Sequence, residues 1–203
     1  MAAEECGILY TIGHSNHKIE DFVGLLKRHR ITCVADIRSV PYSRRFPQFN
    51  RESLSLVLQE ADIGYMYLGK ELGARRVDDY TCDLNRASFE QIAKTEEFKA
   101  GIRRLIAATL EHRVALMCAE KEPLECHRSI LVCRHLKEYN LCIMHILQDG
   151  SIENHIDTER RLVKMLKIEP NIFKPSNTEQ DFIEQAYDLQ AQKISYQPEE
   201  IKK

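Results

Sequence analysis

Five short apolar runs alternate along the chain with segments whose apolar residues recur at helical spacing, and this alternation limits the possible folds more than any other feature. Each run has the length of a β-strand and is rich in β-branched residues. The runs cover residues 8–12, 31–37, 63–68, 114–118 and 141–147. Strands that alternate with helices in this way form a mostly parallel sheet between two layers of helices. The sequence therefore predicts an α/β three-layer sandwich with about five strands.

The segments between the runs show the period of amphipathic helices. The apolar residues of the first segment, at i, i+3, i+4 and i+7, are Ile19, Phe22, Val23 and Leu26. Ser15 or Asn16 is predicted to cap this helix, and Asn50 the second one. Residues 130–133 are apolar on every side, which predicts a buried fourth helix with Asn140 as its C-cap.

Two segments break the alternation of strands and helices. Residues 69–88 form a long link with an arginine pair and an aspartate pair, and links of this length are more often functional than idle. The α/β domain is predicted to cover residues 1–169, and residues 170–203 form a C-terminal extension with a charged tail. Thr178 and Asp181 make a capping box there, which predicts an amphipathic helix. We expect this helix to pack back on the domain, with a homodimer contact as the alternative.

Composition excludes two classes of protein. Lysine plus arginine number 29 and aspartate plus glutamate 31, which gives a formal net charge of −2. This balance excludes a protein that holds nucleic acid by bulk positive charge, although it allows a local basic pocket. No apolar run approaches the length of a membrane span, and the acidic segment 1–6 is unlike a signal peptide. We therefore expect a cytoplasmic protein without membrane contact, in which most of the seven cysteines are reduced.

Reactive and charged side chains cluster at the predicted strand ends, where an open α/β sheet binds its ligands. Such side chains lie at the ends of four of the five runs. His14 and Ser15 follow the first run, Arg38 and Ser39 follow the second, and His145 lies in the last. The fourth run ends in Cys118 and is followed by Glu120, and Cys126, His127 and Arg128 open the next helix. Because the carboxyl ends of parallel strands lie at one edge of a sheet, these side chains are predicted to share a site.

The same residues carry a resemblance to a known family. The matching motifs are Thr11-Ile12-Gly13-His14-Ser15, Asp36-Ile37-Arg38-Ser39-Val40-Pro41 with Ser43-Arg44, Cys118-Ala119-Glu120 with Cys126-His127-Arg128, His145-Ile146 and Glu184-Gln185-Ala186-Tyr187. Through them the chain resembles, from about residue 8 to about residue 196, the uncharacterised family called domain of unknown function 488. The resemblance implies a Rossmann-like fold and functional loops at these positions, but it implies no reaction.

Arg38, Arg44 and Arg128 are the predicted anion-binding residues. A guanidinium presents a planar fork suited to phosphate and carboxylate. Arg38 directly follows a strand, and Arg44 shares its loop with Arg45 and Arg51, with no acidic residue between Arg38 and Arg51. Arg128 opens a helix, where free backbone N–H groups favour an anion. The alternative is that these arginines pair with neighbouring acidic side chains.

Cys118 and Cys126 allow three interpretations. A thiol at a helix N-terminus beside an arginine has a lowered pKa, which makes Cys126 a candidate nucleophile with His127 or His14 as its base. A zinc site made of Cys118, Cys126 and His127, with His14 or His145, is the second, although the spacing matches no standard zinc motif. In the third, both thiols are structural or line a ligand. The thiols inside apolar runs are expected in the core: Cys33, Cys133 and Cys142.

His14 and Glu120 are candidates for proton transfer. The charge of a histidine changes near neutral pH, so His14 could act as a general acid or base; alternatively, it hydrogen-bonds to strand-end carbonyls. Glu120, like Asp36, is a strand-end carboxylate that could take part in catalysis, orient a histidine or arginine, or form a supporting salt bridge. Gly13 alone is not the three-glycine dinucleotide fingerprint, so no NAD site and no other cofactor is predicted.

Together these residues predict an enzyme that acts on a small anionic, nucleotide-like substrate by hydrolysis or group transfer. Arg38, Arg44 and Arg128 would hold the anion, with Ser15, Ser39, Cys118 and His127 lining the site, and His14, Cys126 or Glu120 would carry the chemistry. The first alternative is a module that binds a short single strand or a flipped, modified base, with aromatic residues for stacking: Tyr42, Phe46 and Phe49. A thiol or zinc sensor built on the cysteines is the second alternative.

Overall fold

The computed structural model describes residues 7–75, 88–168 and 178–195. The acidic segment 1–6, link residues 76–87, with the aspartate pair, and residues 169–177 and 196–203 lie outside these ranges. In the part of the chain that the structure describes, no helix is both long enough and apolar enough to cross a membrane.

Six strands form one sheet in the described ranges. They are β1 (Gly7–Gly13), β2 (Cys33–Asp36), β3 (Gly64–Tyr67), β4 (Val114–Cys118), β5 (Leu141–Ile146) and β6 (Ile152–Asn154). Their order is β3-β2-β4-β1-β5-β6, and every neighbouring pair is parallel except β5 with β6. The predicted α/β class is confirmed. The sixth strand was not predicted, because a strand of three residues is too short to show a periodic pattern.

Helices cover both faces of the sheet. They are α1 (Ile19–Arg28), α2 (Arg51–Glu60), α3 (Gly69–Leu72), α4 (Phe89–Lys94), α5 (Glu96–Glu111), α6 (Arg134–Leu136), α7 (His155–Met165) and α8 (Glu179–Ile194). A π-helical segment, Arg128–Cys133, leads into α6 and is buried throughout, which the sequence predicts for its apolar residues 130–133. α1 and α2 pack on one face, and α3 to α8 contribute to the core on the other.

Successive side chains of the central strands point to opposite faces of the sheet. In β4, Val114, Leu116 and Cys118 pack into one core, whereas Ala115 and Met117 pack into the other. All five are fully buried, as expected for a strand with helices on both sides. This arrangement is the predicted Rossmann-like three-layer sandwich.

The C-terminal helix packs on the domain, as predicted. Thr178 and Asp181 form the predicted capping box of α8. Ile183 and Tyr187 join the core beneath the sheet, and the side-chain amide of Gln190 donates to the Leu124 carbonyl at 2.7 Å. α8 therefore supports the segment that leads to Cys126.

Two predicted helix caps are wrong, because each helix has its terminus at another residue. α1 begins after Lys18 rather than after Ser15, whose φ is 45° and whose N–H donates to the Ala119 carbonyl at 2.9 Å. Asn140 does not cap the fourth helix, because that helix ends at Leu136 with Lys137 as its C-cap residue, and the Asn140 carbonyl instead accepts the N–H of Gly7. Asn50 is the N-cap residue of α2, as predicted.

Two of the three predicted core thiols are confirmed. Cys33 and Cys133 are buried and free. Cys142, in contrast, is half-buried and disulfide-bonded, so the expectation of a reduced core thiol is wrong for this residue. Cys142 lies beside Ile8 in the sheet, and the 38% exposure of Ile8 shows that the helices do not fully cover this end of β1 and β5.

Candidate functional site

A cavity of about 230 Å³ lies at the carboxyl ends of β2 and β4. Four residues predicted for the site line it: Arg38, Ser39, Glu120 and His127. The other lining residues are Val40, Ala74, Arg75, Phe89, Ala119, Glu125 and Ile194. Because β2 and β4 are neighbours in the sheet, their following loops meet. The predicted gathering of these four side chains at one sheet edge is therefore observed.

The Arg38 side chain is held at the end of β2 by three groups, and a fourth residue supports one of them. Its Nε and Nη2 donate to the two carboxylate oxygens of Asp36 at 2.9 and 2.6 Å, a bidentate ion pair. Nη2 also donates to the Phe49 carbonyl at 2.9 Å, and Nη1 to Nε2 of His14 at 3.2 Å. Tyr65 donates its hydroxyl to the same carboxylate at 2.8 Å. Arg38 is 6% exposed, and one N–H of Nη1 has no partner among the described residues.

Arg38 also determines where the proton of His14 lies. A guanidinium can only donate, so Nε2 of His14 accepts, and its Nδ1 carries the proton and donates to the Ser15 carbonyl at 3.0 Å. The ring stacks on Phe49 with centroids 4.4 Å apart. Burial, followed by the charge of Arg38, lowers the pKa of His14 from 6.5 to about 4. His14 is thus neutral at neutral pH with both nitrogens engaged, an arrangement that suits orienting Arg38 better than moving a proton.

Ser39 is positioned by the segment that follows α3. Its Oγ accepts the backbone N–H of Arg75 at 2.9 Å, and its carbonyl accepts the Tyr67 hydroxyl at 3.2 Å. The segment that follows α3 approaches Ser39 so closely that position 73 must be glycine, because a Cβ there would lie 2.4 Å from the Ser39 Oγ. Since the Oγ acts as an acceptor towards the protein, its own hydrogen can point to a ligand in the cavity.

Cys118 and Cys126 lie side by side beneath the cavity, with their Sγ atoms 2.7 Å apart and at most 1% exposure. Glu120 is exposed as a residue, but its carboxylate turns towards the sulfurs and accepts from the Cys126 thiol at 3.0 Å. Burial, followed by the contact with Cys118, raises the pKa of Cys126 well above its ordinary value. This direction is opposite to the lowered pKa on which the prediction of Cys126 as a nucleophile rests.

Arg128 is fully buried behind the two sulfurs and does not line the cavity. Its Nη1 donates to the Cys118 Sγ at 2.7 Å and to the Glu120 carbonyl at 2.6 Å, and Nη2 donates to the Lys121 carbonyl at 3.1 Å. Its backbone N–H points to the Cys126 Sγ at 3.4 Å. Nε has no partner among the described residues, and none of their ion pairs includes Arg128. Sulfur and carbonyl oxygen are therefore its acceptors.

His127 connects the cavity with the cysteines. Its Nε2 lies 3.2 Å from the Ile37 carbonyl, which can only accept, so Nε2 carries the proton. Burial lowers the pKa of His127, which keeps the ring neutral at neutral pH. The lone pair of Nδ1 is then directed to the cysteine side, 3.8 Å from the Cys126 Sγ.

Two further predicted residues, and the proposed stacking aromatics, lie apart from the cavity. Arg44 is exposed on its loop, and Ser15 is half-buried beside the loop that follows β4. Among the aromatic residues, Phe49 is fully buried under His14, Phe46 is half-buried, and Tyr42 is 52% exposed. Tyr42 is therefore the one of the three that is open to a base.

His145 belongs to a separate buried chain of hydrogen bonds. Its Nδ1 contacts the Thr11 hydroxyl at 2.7 Å and its Nε2 contacts Nδ1 of His155 at 2.9 Å. Nε2 of His155 lies 3.0 Å from the Tyr187 hydroxyl, which donates to Glu159 at 2.7 Å. Because the tyrosine proton goes to the carboxylate, each histidine donates through Nε2 and accepts through Nδ1, and both rings are neutral. This chain ties β1 and β5 to α7 and α8.

Some residues of the site were not found from the sequence. Tyr65 carried a usable signal, because a hydroxyl inside an apolar strand needs a buried partner. Phe89, Glu125 and Ile194 carried none, since they reach the cavity only through the way in which their segments pack.

Comparison with known proteins identifies a family to which the chain is similar. A family model described as "Domain of unknown function DUF488" matches residues 18–134, which is more than half of the chain. The matched range includes Arg38, Ser39 and the whole cysteine segment from Cys118 to Arg128. A search of curated proteins and a search of solved structures each found no significant match.

Proposed function

The chain belongs to the DUF488 family, and because the family description names no reaction, we propose from the site itself that the protein is an enzyme acting on a small anionic substrate by hydrolysis or group transfer. The observation that carries this proposal is the cavity at the carboxyl ends of β2 and β4, where residues of several loops converge. Ligands of open α/β sheets bind at this edge.

The two sides of the cavity differ in charge. The segments that follow β2 and α3 contribute Arg38 and Arg75, whereas the segment that follows β4 contributes Glu120 and Glu125. An anionic group of a substrate would lie on the first side, where Arg38, although ion-paired with Asp36, still offers an unpartnered N–H donor. The opposite end of the substrate then lies against the carboxylates of Glu120 and Glu125, which favour a hydrogen-bond donor or a positive charge on the substrate.

The volume limits the substrate. Pockets for drug-sized ligands measure about 300–1,000 Å³, and this cavity measures about 230 Å³. A small phosphate- or carboxylate-bearing molecule fits such a volume. A nucleotide would insert only its phosphate-bearing end.

Each lining residue has a role in this proposal. The unpartnered N–H of Arg38 and the hydroxyl hydrogen of Ser39 donate to the anionic group. His14 and Asp36 hold the Arg38 guanidinium in place, so little conformational entropy is lost on binding. Glu120 and His127 face the remainder of the substrate.

The proposal is tested by thermal unfolding of the full chain with a panel of small acids: inorganic phosphate, short carboxylates, phosphorylated metabolites and nucleoside monophosphates. At least one acid should raise the Tm of the wild type in a concentration-dependent way. Arg38→Lys, which keeps the charge but loses the fork, and Ser39→Ala should each weaken that ligand by about tenfold or more. Arg44→Gln, on the exposed loop, is the matched control and should leave the affinity unchanged. A wild type that responds to no acid in the panel would contradict the proposal.

The nucleic-acid alternative gives a different result in the same preparation. Oligonucleotide binding through exposed arginines would fall steeply with salt, and Arg44→Gln would weaken it. Binding of a small acid inside the cavity should be far less sensitive to salt, because the interacting groups are buried.

A further inference from the structure

Three potential metal ligands converge beneath the cavity. The Sγ atoms of Cys118 and Cys126 and a carboxylate oxygen of Glu120 all lie within 4.8 Å of one another. The cysteines are buried, and Glu120 lies between them and the cavity. Two thiolates and a carboxylate are a donor set that zinc accepts, and thiolates select against magnesium and calcium.

The Cys126 thiol donates to Glu120 at 3.0 Å, and zinc binding would release the thiol protons and leave two thiolates, towards which Arg128 already directs two donors. Nη1 of Arg128 donates to the Cys118 Sγ at 2.7 Å, and the Arg128 backbone N–H points to the Cys126 Sγ. A neutral sulfur is a weak acceptor, whereas a thiolate accepts strongly, above all from a guanidinium. Two adjacent thiolates repel each other, and one arginine balances only one of them. A divalent cation between the sulfurs removes this repulsion.

With a divalent metal bound, the charges of the metal, its three ligands and Arg128 sum to zero. A divalent metal with two thiolates and one carboxylate has a net charge of −1, and the buried Arg128 guanidinium supplies +1. Arg128 forms no ion pair with a carboxylate in the described part of the chain, and its Nε is an unpartnered buried donor. A buried cation of this kind needs an anionic neighbour, which the metal cluster provides.

His127 could supply a fourth ligand after a shift of its ring, because its Nδ1 lies near Cys126 but outside the group of three ligand atoms that lie within 4.8 Å of one another. Metal-binding histidines usually donate their other ring N–H to a carbonyl or carboxylate, which fixes the tautomer. Nε2 of His127 donates in this way to the Ile37 carbonyl, and its Nδ1 faces Cys126 at 3.8 Å from Sγ. The sulfurs would move apart to about 3.8 Å around a tetrahedral zinc with Zn–S bonds of about 2.3 Å. Zinc binding therefore requires the two cysteine side chains to rotate apart from their present Sγ–Sγ distance of 2.7 Å.

We propose that Cys118, Cys126 and Glu120 bind a zinc ion, with Nδ1 of His127 as the fourth ligand and Arg128 as the charge partner. This site goes beyond the proposed function and does not depend on it. It places a metal at the wall of the cavity, since both Glu120 and His127 line that wall.

The test uses the full chain, freed of metal with a chelator under reducing conditions and then titrated with zinc alone. Native mass spectrometry should show one zinc per chain. Substitution with cobalt should produce the near-ultraviolet absorption of thiolate-to-cobalt charge transfer and visible bands of tetrahedral intensity. These readouts need neither substrate nor activity, so failure of the zinc site and failure of the proposed function are distinguishable.

Variants identify the ligands. Cys118→Ala and Cys126→Ala should each lose most of the charge-transfer absorption, and Glu120→Gln should weaken zinc binding by at least about tenfold. The matched controls are Cys133→Ala, a buried free thiol outside the cluster, and Glu125→Gln, a cavity carboxylate outside the donor set; both should bind zinc like the wild type. Wild-type protein that binds no stoichiometric zinc and shows no thiolate-to-cobalt absorption overturns the proposal, whether or not its cysteines then form a disulfide. Because this measurement uses the wild type, a variant that does not fold leaves the test intact.

Discussion

At the scale of single residues, Gly13 shows how closely the segments at the site approach one another. A Cβ at this position would lie 1.8 Å from the Glu120 carbonyl oxygen and 2.9 Å from Nη1 of Arg128. The end of β1 thus contacts the loop that follows β4 without space for any side chain. The lone glycine of the first strand end, which matches no dinucleotide motif, is explained by this contact.

We expect Gly13→Ala to lower the free energy of unfolding by about 3 kcal/mol or more, because backbone and a buried guanidinium would have to move. Urea unfolding followed by circular dichroism measures the change. Gly24→Ala is the matched control: a Cβ there meets nothing within 4 Å, and the residue lies in the exposed interior of α1. It should raise the stability by about 0.5–1 kcal/mol. Equal stability of Gly13→Ala and the wild type would show that the close approach is absent in solution.

At the scale of elements, α8 is joined to α7 by polar contacts as well as apolar ones. Tyr187 is 1% exposed and its hydroxyl is shared by His155 of α7 and Glu159 of α7. Lys137 forms an ion pair with the same carboxylate at 2.7 Å. These hydrogen bonds fix the position of α8 along its own axis on the domain. Apolar packing alone would fix that position less strictly.

Removal of the Tyr187 hydroxyl should loosen this contact. We expect Tyr187→Phe to lower the stability by about 1–3 kcal/mol, because the N–H of His155 loses its acceptor in a buried place. Amide hydrogen exchange should accelerate in α8 more than in α1. Tyr139→Phe, at an exposed position, should change neither quantity. Unchanged exchange in α8 would mean that apolar packing alone holds the helix.

At the scale of the whole molecule, buried histidines with lowered pKa values link folding to pH, and His145 and His155 are two of them. Burial lowers the pKa of His155 from 6.5 to about 4, although the charge of Glu159 opposes the change and Lys137 adds to it. Burial, followed by His155, lowers the pKa of His145 as well. Below pH 6.5 the unfolded chain binds protons that the folded chain does not, so stability falls as the pH decreases from about 6.5 towards 4. Above pH 6.5 this contribution is constant.

For His155 alone, we expect a loss of up to about 3 kcal/mol between pH 7 and pH 4. Urea unfolding of the wild type and of His155→Gln at several pH values measures it. The variant cannot titrate there, so its stability should depend less steeply on pH. His112→Gln, at an exposed position, should retain the wild-type dependence. Identical slopes for all three proteins would show that His155 is already protonated or is exposed in the folded state.

Much of the fold was predictable from the sequence, because burial on both faces leaves a direct pattern. All five apolar runs became strands, and the apolar segment before Cys133 became a buried helix. The short strand β6 and the helix α4 left no such pattern. The capping residue of α1 was missed because Ser15 and Asn16 lie in a turn and the helix begins only after Lys18.

Less of the site was predictable. The position of Arg38, Ser39, Glu120 and His127 at one sheet edge followed from the strand ends. The roles of Arg44 and Arg128 did not follow, since exposure and burial depend on packing: Arg44 points to solvent, and Arg128 lies beneath the cysteines.

The sequence by itself determined the strands, the layers and the set of reactive residues, because hydrophobic period and strand ends are local features of the chain. Only the tertiary structure decided which of those residues meet. Asp36 orients Arg38, Arg38 sets the proton of His14, and Arg128 serves the cysteine pair rather than the cavity. The physical reason is that hydrogen bonds, charge balance and pKa depend on distances of a few ångströms between residues far apart in sequence, and only the packed sheet sets those distances.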